Sequence, residues 1–169
     1  MLAHSASLAV ALVFCIAVIY GAISDVTTYS IPNWVSLVLV AGFAAFAALR
    51  WESLPLILHL MLGGATFLIC AVFWKLKWLG GGDVKFLGAI ALWMGPHYIM
   101  LFLILLSLLA AAFASLLLWL RRWNDAIQAG KWPRLAKLMV AKAKDHACPY
   151  GLPTAIAALT VAPQLLWPG

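Results

Sequence analysis

The sequence predicts an all-α polytopic membrane protein with six transmembrane helices in a single domain, residues 1–169. Two observations on composition lead to this prediction. Of the 169 residues, 66% are hydrophobic and only 9% are charged, and the mean hydropathy is +1.06. A soluble domain could not cover so much apolar surface with polar groups. The apolar runs also approach the ~20 residues that cross a ~30 Å hydrocarbon core.

The first three helices are predicted over residues 6–23, 34–49 and 54–74. The run 6–23 lacks a basic n-region, which favours a retained membrane helix over a cleaved signal peptide. The polar stretch SDVTTYSIPN separates it from the second helix, and RWES separates the second from the third. Both stretches contain residues typical of turns and helix ends.

The last three helices are predicted over residues 84–94, 98–120 and 150–167. The stretch KLKWLGGGD precedes the fourth, and Gly-Pro-His divides the fourth from the fifth. Glycine and proline together are strong helix breakers. A polar loop over residues 121–147 then leads to the sixth helix.

The basic residues are distributed unequally between the loops. With six crossings, ten of the 11 basic residues fall on one side of the membrane and only Arg50 on the other. Because loops rich in Lys and Arg stay in the cytosol, both termini are predicted to lie outside it. The ten are Lys75, Lys77, Lys85, Arg121, Arg122, Lys131, Arg134, Lys137, Lys142 and Lys144.

Cysteine and histidine chemistry is not expected. The three cysteines, Cys15, Cys70 and Cys148, form no CxxC pair, and the four histidines show no HExxH spacing that would put two ligands on one helical face. The sequence therefore predicts neither a metal site nor a cofactor. A nucleic-acid partner is not expected either.

Two aspartates, Asp25 and Asp83, stand at the ends of strongly apolar helices, and the count of crossings puts both on the cytosolic side. The helix that begins at Asp83 is only about 20 Å long. If its far end reaches the outer interface, Asp83 lies below the cytosolic surface, inside protein or beside a water-filled cavity. An acid within the membrane is a functional candidate. The other acids, Glu52, Asp125 and Asp145, are predicted to be loop charges.

Two carboxyl groups in a low-dielectric site do not both ionise easily, so one keeps its proton. Such a pair can deprotonate a water that attacks a peptide carbonyl and then protonate the leaving amine. Other interpretations stay open on the residues alone. Asp83 could be an N-cap, the same acids could serve a proton- or ion-coupled transporter, and the protein could be a non-catalytic assembly scaffold.

Three motifs in this sequence resemble those of the prepilin peptidases, which are membrane aspartic proteases with a GxGD motif. The stretch GGGDVK, residues 80–85, contains that motif. The stretch SDVTTYSIPNW, residues 24–34, resembles the family's first catalytic aspartate and the Ile-Pro-Asn that follows it. The stretch PYGLPTAIA, from Pro149, is similar to the family's late proline-aromatic motif.

The resemblance implies a GxGD-protease-like arrangement of the six helices, with Asp25 and Asp83 as the catalytic pair. It implies supporting or substrate-binding roles for Gly80, Gly82, Lys85, Pro32, Asn33 and Pro149. The zinc-binding insertion of the bifunctional members is missing after the first helix. This sequence is therefore more similar to the short, peptidase-only members that serve Flp or Tad pili.

The substrate implied by the resemblance is a prepilin, with a short basic leader in the cytosol and an apolar helix that begins near the cut. The resemblance also implies the bacterial inner membrane, with the active site facing the cytosol. Residues 131–144 alternate apolar residues and lysines at helical spacing, which predicts an amphipathic helix lying along the interface. The basic cytosolic loops would repel a basic leader, so we expect them to contact anionic lipids.

Overall fold

The computed structural model describes residues 2–52, 54–122 and 150–166, and the regular structure in these ranges is entirely helical. The prediction of an all-α protein is thus confirmed. The predicted amphipathic helix over residues 131–144 and Pro149 lie outside the described residues. The helices are α1 (Leu2–Thr28), α2 (Asn33–Leu49), α3 (Leu56–Lys75), α4 (Gly81–Arg122) and α5 (Gly151–Leu166).

Three helices in the described ranges are long and apolar enough to cross a membrane, over Leu8–Thr28, Leu56–Lys75 and Gly81–Trp119. The protein is therefore a polytopic α-helical membrane protein, but the structure supports three long spans and not the six predicted. Helix lengths explain the difference. Helices α2 and α5 have 17 and 16 residues, fewer than the ~20 of a typical span. The predicted helices 84–94 and 98–120 both fall within α4.

Helix α4 is interrupted at Gly95, inside the Gly-Pro-His stretch where the sequence predicts a break. Gly95 has φ 55° and ψ −169°, so α4 consists of two helices joined at a kink. Only glycine adopts such a conformation without steric cost. Pro96 follows and has no N–H for the carbonyl of Leu92, its partner in a regular helix. The ring of His59, from α3, donates its Nδ1–H to that carbonyl over 2.7 Å.

Helix α1 continues past its predicted end at residue 23 to Thr28. The polar residues that suggested a loop donate their hydroxyl groups to carbonyls of the preceding turn. Thr27 Oγ1 donates to the carbonyl of Ile23 and Thr28 Oγ1 to that of Ser24, both over 2.7 Å, so these side chains are compatible with a helix. As a result Asp25 lies in the last turn of α1 and not in a loop.

The core is built around Trp93 of α4, whose side chain is completely buried. Its ring centroid lies 4.7 Å from that of Phe14 in α1 and 5.5 Å from that of Phe46 in α2. Its indole Nε1–H donates to the carbonyl of Leu39 over 2.9 Å. The buried indole N–H is thereby satisfied, and one residue links three helices.

Candidate active site

Four pieces of the chain meet at one end of the helix bundle. They are the end of α1, the connection between α1 and α2, and the first turns of α4 and α5. Asp25 is 4% exposed, although aspartate is almost never fully buried unless it is paired. The contacts of Asp25 and Asp83 therefore decide what this site can do.

Asp25 is held by the beginning of α5. Its Oδ2 accepts a hydrogen bond from the backbone N–H of Gly151 over 2.6 Å, and this contact is buried. A Cβ atom on residue 151 would lie 2.7 Å from Cβ of Asp25 and 2.8 Å from its Oδ2. Real Cβ atoms do not approach other atoms so closely. Only glycine at position 151 allows the two helices to meet in this way.

Asp83 lies in the first turn of α4, which begins at Gly81 and not at the predicted residue 84. Its Oδ2 accepts the backbone N–H of Gly80 over 3.2 Å, as the third residue of a helix does in a capping box. The other oxygen, Oδ1, is buried and has no hydrogen-bond partner among the described residues. One oxygen of this carboxyl group thus caps the helix, and the other is left to bind a ligand or a water.

The connection between α1 and α2 packs directly on the first turn of α4. A Cβ atom on Gly82 would lie 2.9 Å from the carbonyl oxygen of Ile31, so a side chain there would push the two backbones apart. Beside this contact, Lys85 Nζ donates to Asn33 Oδ1 over 2.7 Å. Pro32 precedes the first residue of α2 as its N-cap.

The carboxyl groups of Asp25 and Asp83 lie close enough to each other for an electrostatic interaction. Two acids so placed do not both ionise at low cost, and a pair with one protonated member would offer one proton donor and one proton acceptor. This is the combination that general acid–base catalysis requires. Within the part of the chain that the structure describes, no group of three or more His, Cys, Asp or Glu residues could hold a metal ion.

The structure brings together most of the residues that the sequence singles out. Asp25 and Asp83 interact, and Lys85 contacts Asn33. Gly80 and Gly82 contact protein atoms, namely the carboxyl group of Asp83 and the backbone of Ile31, and their contact with a bound peptide stays a prediction. Gly151 was not among the predicted site residues, although it stands inside the proline-aromatic motif, as the second residue of the sixth predicted helix.

A comparison with models of protein families gives a match over most of the described chain. The model described as the type IV leader peptidase family matches residues 12–115, which is more than half of the chain. The matched range includes Asp25, Asp83, Lys85 and Asn33, and it ends before Gly151. Searches of curated proteins and of solved structures found no match.

Proposed function

This chain belongs to the type IV leader peptidase family, and on that premise we propose that it is an aspartic endopeptidase that removes the basic leader of Flp or Tad-type prepilins. Membership of this family indicates a protease with a prepilin-type substrate. The observation that carries the aspartic mechanism is the interaction between two acids, the buried Asp25 and the partly buried Asp83. No contact among the described residues favours the transporter alternative.

In the proposed reaction the ionised member of the pair takes a proton from a water molecule. The water oxygen attacks the carbonyl carbon of the scissile peptide bond, and the protonated member hydrogen-bonds the oxygen that becomes negatively charged. Its proton then passes to the leaving amine as the C–N bond breaks. The Oδ1 atom of Asp83 is buried and has no hydrogen-bond partner among the described residues. This supports a binding position beside Oδ1 for the attacking water or for the oxygen of the scissile peptide.

The remaining residues would position the acids. Gly151 and Gly80 supply the N–H groups that orient the two carboxyl groups. The contact of Gly82 with Ile31 and the hydrogen bond between Lys85 and Asn33 hold α4 against the end of the α1–α2 connection, with Pro32 fixing the entry into α2. Pro149 directly precedes Tyr150 and Gly151 in sequence, which supports a role in setting the start of α5.

The restriction to peptidase-only members is supported by the connection between α1 and α2. Helix α1 ends at Thr28 and α2 begins at Asn33, which leaves a short turn and no inserted zinc-binding segment. We propose a single membrane-embedded peptidase domain over residues 1–169, with both termini outside the cytosol. In the bacterial inner membrane, the acids would then face the cytosol and the basic loops would contact anionic lipids.

The test is leader removal in cells that express the protein together with a Flp-type prepilin. Asp25→Asn and Asp83→Asn each keep the size of the side chain but remove its acid–base chemistry, so we expect unprocessed prepilin with either variant. Glu52→Gln is the matched control, since Glu52 is an exposed acid in the α2–α3 connection, and processing should be unchanged. Processing by either aspartate variant at the wild-type level would reject the proposal.

A further inference from the structure

A groove of about 610 Å³ lies between α2 and α3, with α4 as its floor. Its polar end contains Asn33, Ser36 and Lys85, and the rest is lined by apolar side chains such as Val40, Leu60 and Phe67. Along α4 it extends from Lys85 to Leu92, which is about 10 Å at 1.5 Å per residue. The polar end lies at the same level of the bundle as the active site, because Lys85 is only about 3 Å from Asp83 along the axis of α4.

We propose that this groove, here called the α2–α3 groove, binds the first turns of the apolar helix of the prepilin substrate. The inference rests on the proposed function, and it adds the surface that selects and aligns the substrate. A prepilin presents a polar leader, then the scissile bond, then an apolar helix. The groove offers the same order, with Asp83 first, then a polar end, then an apolar channel.

Ser36 indicates that a polar group of a ligand enters the groove. The side chain is 7% exposed, and its hydroxyl has no hydrogen-bond partner among the described residues. A helical serine usually donates to the carbonyl one turn earlier, and a buried hydroxyl without a partner is costly. A protease needs its substrate extended at the scissile bond, which exposes backbone N–H and C=O groups that have no water to bind in a membrane. Ser36 is placed to bond one of them.

Gly64 indicates that a helix packs against the apolar part. It lies in the middle of α3, where glycine costs roughly 1 kcal/mol relative to alanine. A Cβ atom on residue 64 would meet nothing within 4 Å among the described residues, so packing inside the protein does not require glycine. Small residues in membrane helices let a second helix backbone approach closely. A substrate helix needs this close approach of its backbone, whereas a single lipid chain does not. The groove therefore fits a helix better than a lipid chain.

A second apolar groove, between α1 and α5, is the competing site. It has a volume of about 420 Å³ and includes Ile19, Leu152 and Ile156. It flanks Asp25, but only apolar atoms line its surface. The unwound end of a substrate helix would find no hydrogen-bond partner there. The α2–α3 groove has such partners at its polar end and is therefore the favoured binding site.

The experiment uses a Flp-type prepilin with a photoreactive residue in the first turns of its apolar helix, bound to the full-length protein in membranes. We expect crosslinks to residues lining the α2–α3 groove, identified by mass spectrometry, in wild type and in the Asp83→Asn variant. Crosslinks to the α1–α5 groove, or none in a preparation that cleaves the prepilin, would overturn the proposal while leaving the protease assignment intact. Crosslinks in the α2–α3 groove of the wild type without any cleavage would overturn the protease assignment and leave the groove as the binding site of the prepilin helix.

Matched variants provide the second measurement. Gly64→Leu fills the α2–α3 groove at an unobstructed position, and Ile156→Phe fills the α1–α5 groove at an exposed one. We expect Gly64→Leu to raise the KM for full-length prepilin about tenfold and to leave unchanged the cleavage of a peptide that covers the leader junction but lacks the helix. Ile156→Phe should change neither. The opposite pattern would contradict the proposal. It would also be contradicted if Gly64→Cys formed a disulfide-linked dimer through this groove in place of binding the substrate.

Discussion

At the scale of single residues, each acid of the site is oriented by the backbone of a glycine. Asp25 accepts from Gly151 and Asp83 accepts from Gly80. A backbone donor is fixed by its helix and has no rotamers of its own, so the carboxyl groups are positioned before a substrate arrives. Aspartate suits this arrangement, because its short side chain keeps the carboxyl oxygens close to the helix backbone.

Replacement of Gly151 by alanine tests the importance of this positioning. The added Cβ would overlap Asp25, so α5 or Asp25 must shift. A displacement of about 1 Å at a catalytic group costs on the order of a hundredfold in rate, and we expect Gly151→Ala to lose leader removal by about that factor. The measurement is the rate of prepilin cleavage by membranes that contain equal amounts of protein.

Thr160→Ala is the control for this prediction. Thr160 lies on the same helix, is exposed, and donates its hydroxyl only to the carbonyl of Ile156. The variant should cleave at the wild-type rate. If Gly151→Ala is equally active, the close approach of α5 to Asp25 is not required for catalysis.

The sequence predicted the acids of the site better than their partners. Asp25 and Asp83 stand out because each is a lone acid in an apolar run. Gly151 does not stand out, because its partner is 126 residues away in the chain and no local pattern encodes that contact. The sequence also does not distinguish a glycine that permits close packing from one that ends a helix.

At the scale of the helix, the kink in α4 and its partner His59 form one unit. The ring of His59 stacks on Phe43, with ring centroids 5.5 Å apart, and satisfies the Leu92 carbonyl. Because a carbonyl only accepts, Nδ1 carries the proton. The kink thus gains a donor from α3 in place of the N–H that Pro96 lacks.

His59→Leu removes this donor and keeps the position apolar. We expect the free energy of unfolding in detergent to fall by about 1–2 kcal/mol, the range for hydrogen bonds between membrane helices. Ile57→Leu, an exposed substitution on the same helix, should leave the stability unchanged. Equal stability of the two variants would show that the Leu92 carbonyl finds another partner.

Apolar length and breakers in the sequence predicted helix existence well and helix ends less well. The start of α2 and the break at Gly95 lie close to their predicted positions, since Pro32 and Gly95-Pro96 act locally. The ends at Thr28 and Gly81 were missed. Thr27 and Thr28 bond back to the helix. Gly81 and Gly82 belong to α4, and Gly82 packs on Ile31.

At the scale of the whole molecule, helix packing brings together acids that are far apart in sequence. Helix α4 packs on α2, α3 and α5, and α1 packs on α2 and α5. Helices α2 and α5 each contact both α1 and α4, and the rings of Phe14 in α1 and Trp93 in α4 also pack together. This packing brings Asp25 of α1 near the start of α4. The number of spans could not be fixed from apolar length alone, because α2 and α5 are short and α4 contains two helices.

The proposed mechanism depends most on the joint action of the two acids. The most direct measurement compares prepilin cleavage rates of purified wild type, Asp25→Asn, Asp83→Asn and the double variant in lipid vesicles. Groups that act as one unit are non-additive. We predict that each single variant loses nearly all activity and that the double variant is no slower than either. A single variant that cleaves at a rate near that of wild type would contradict the account.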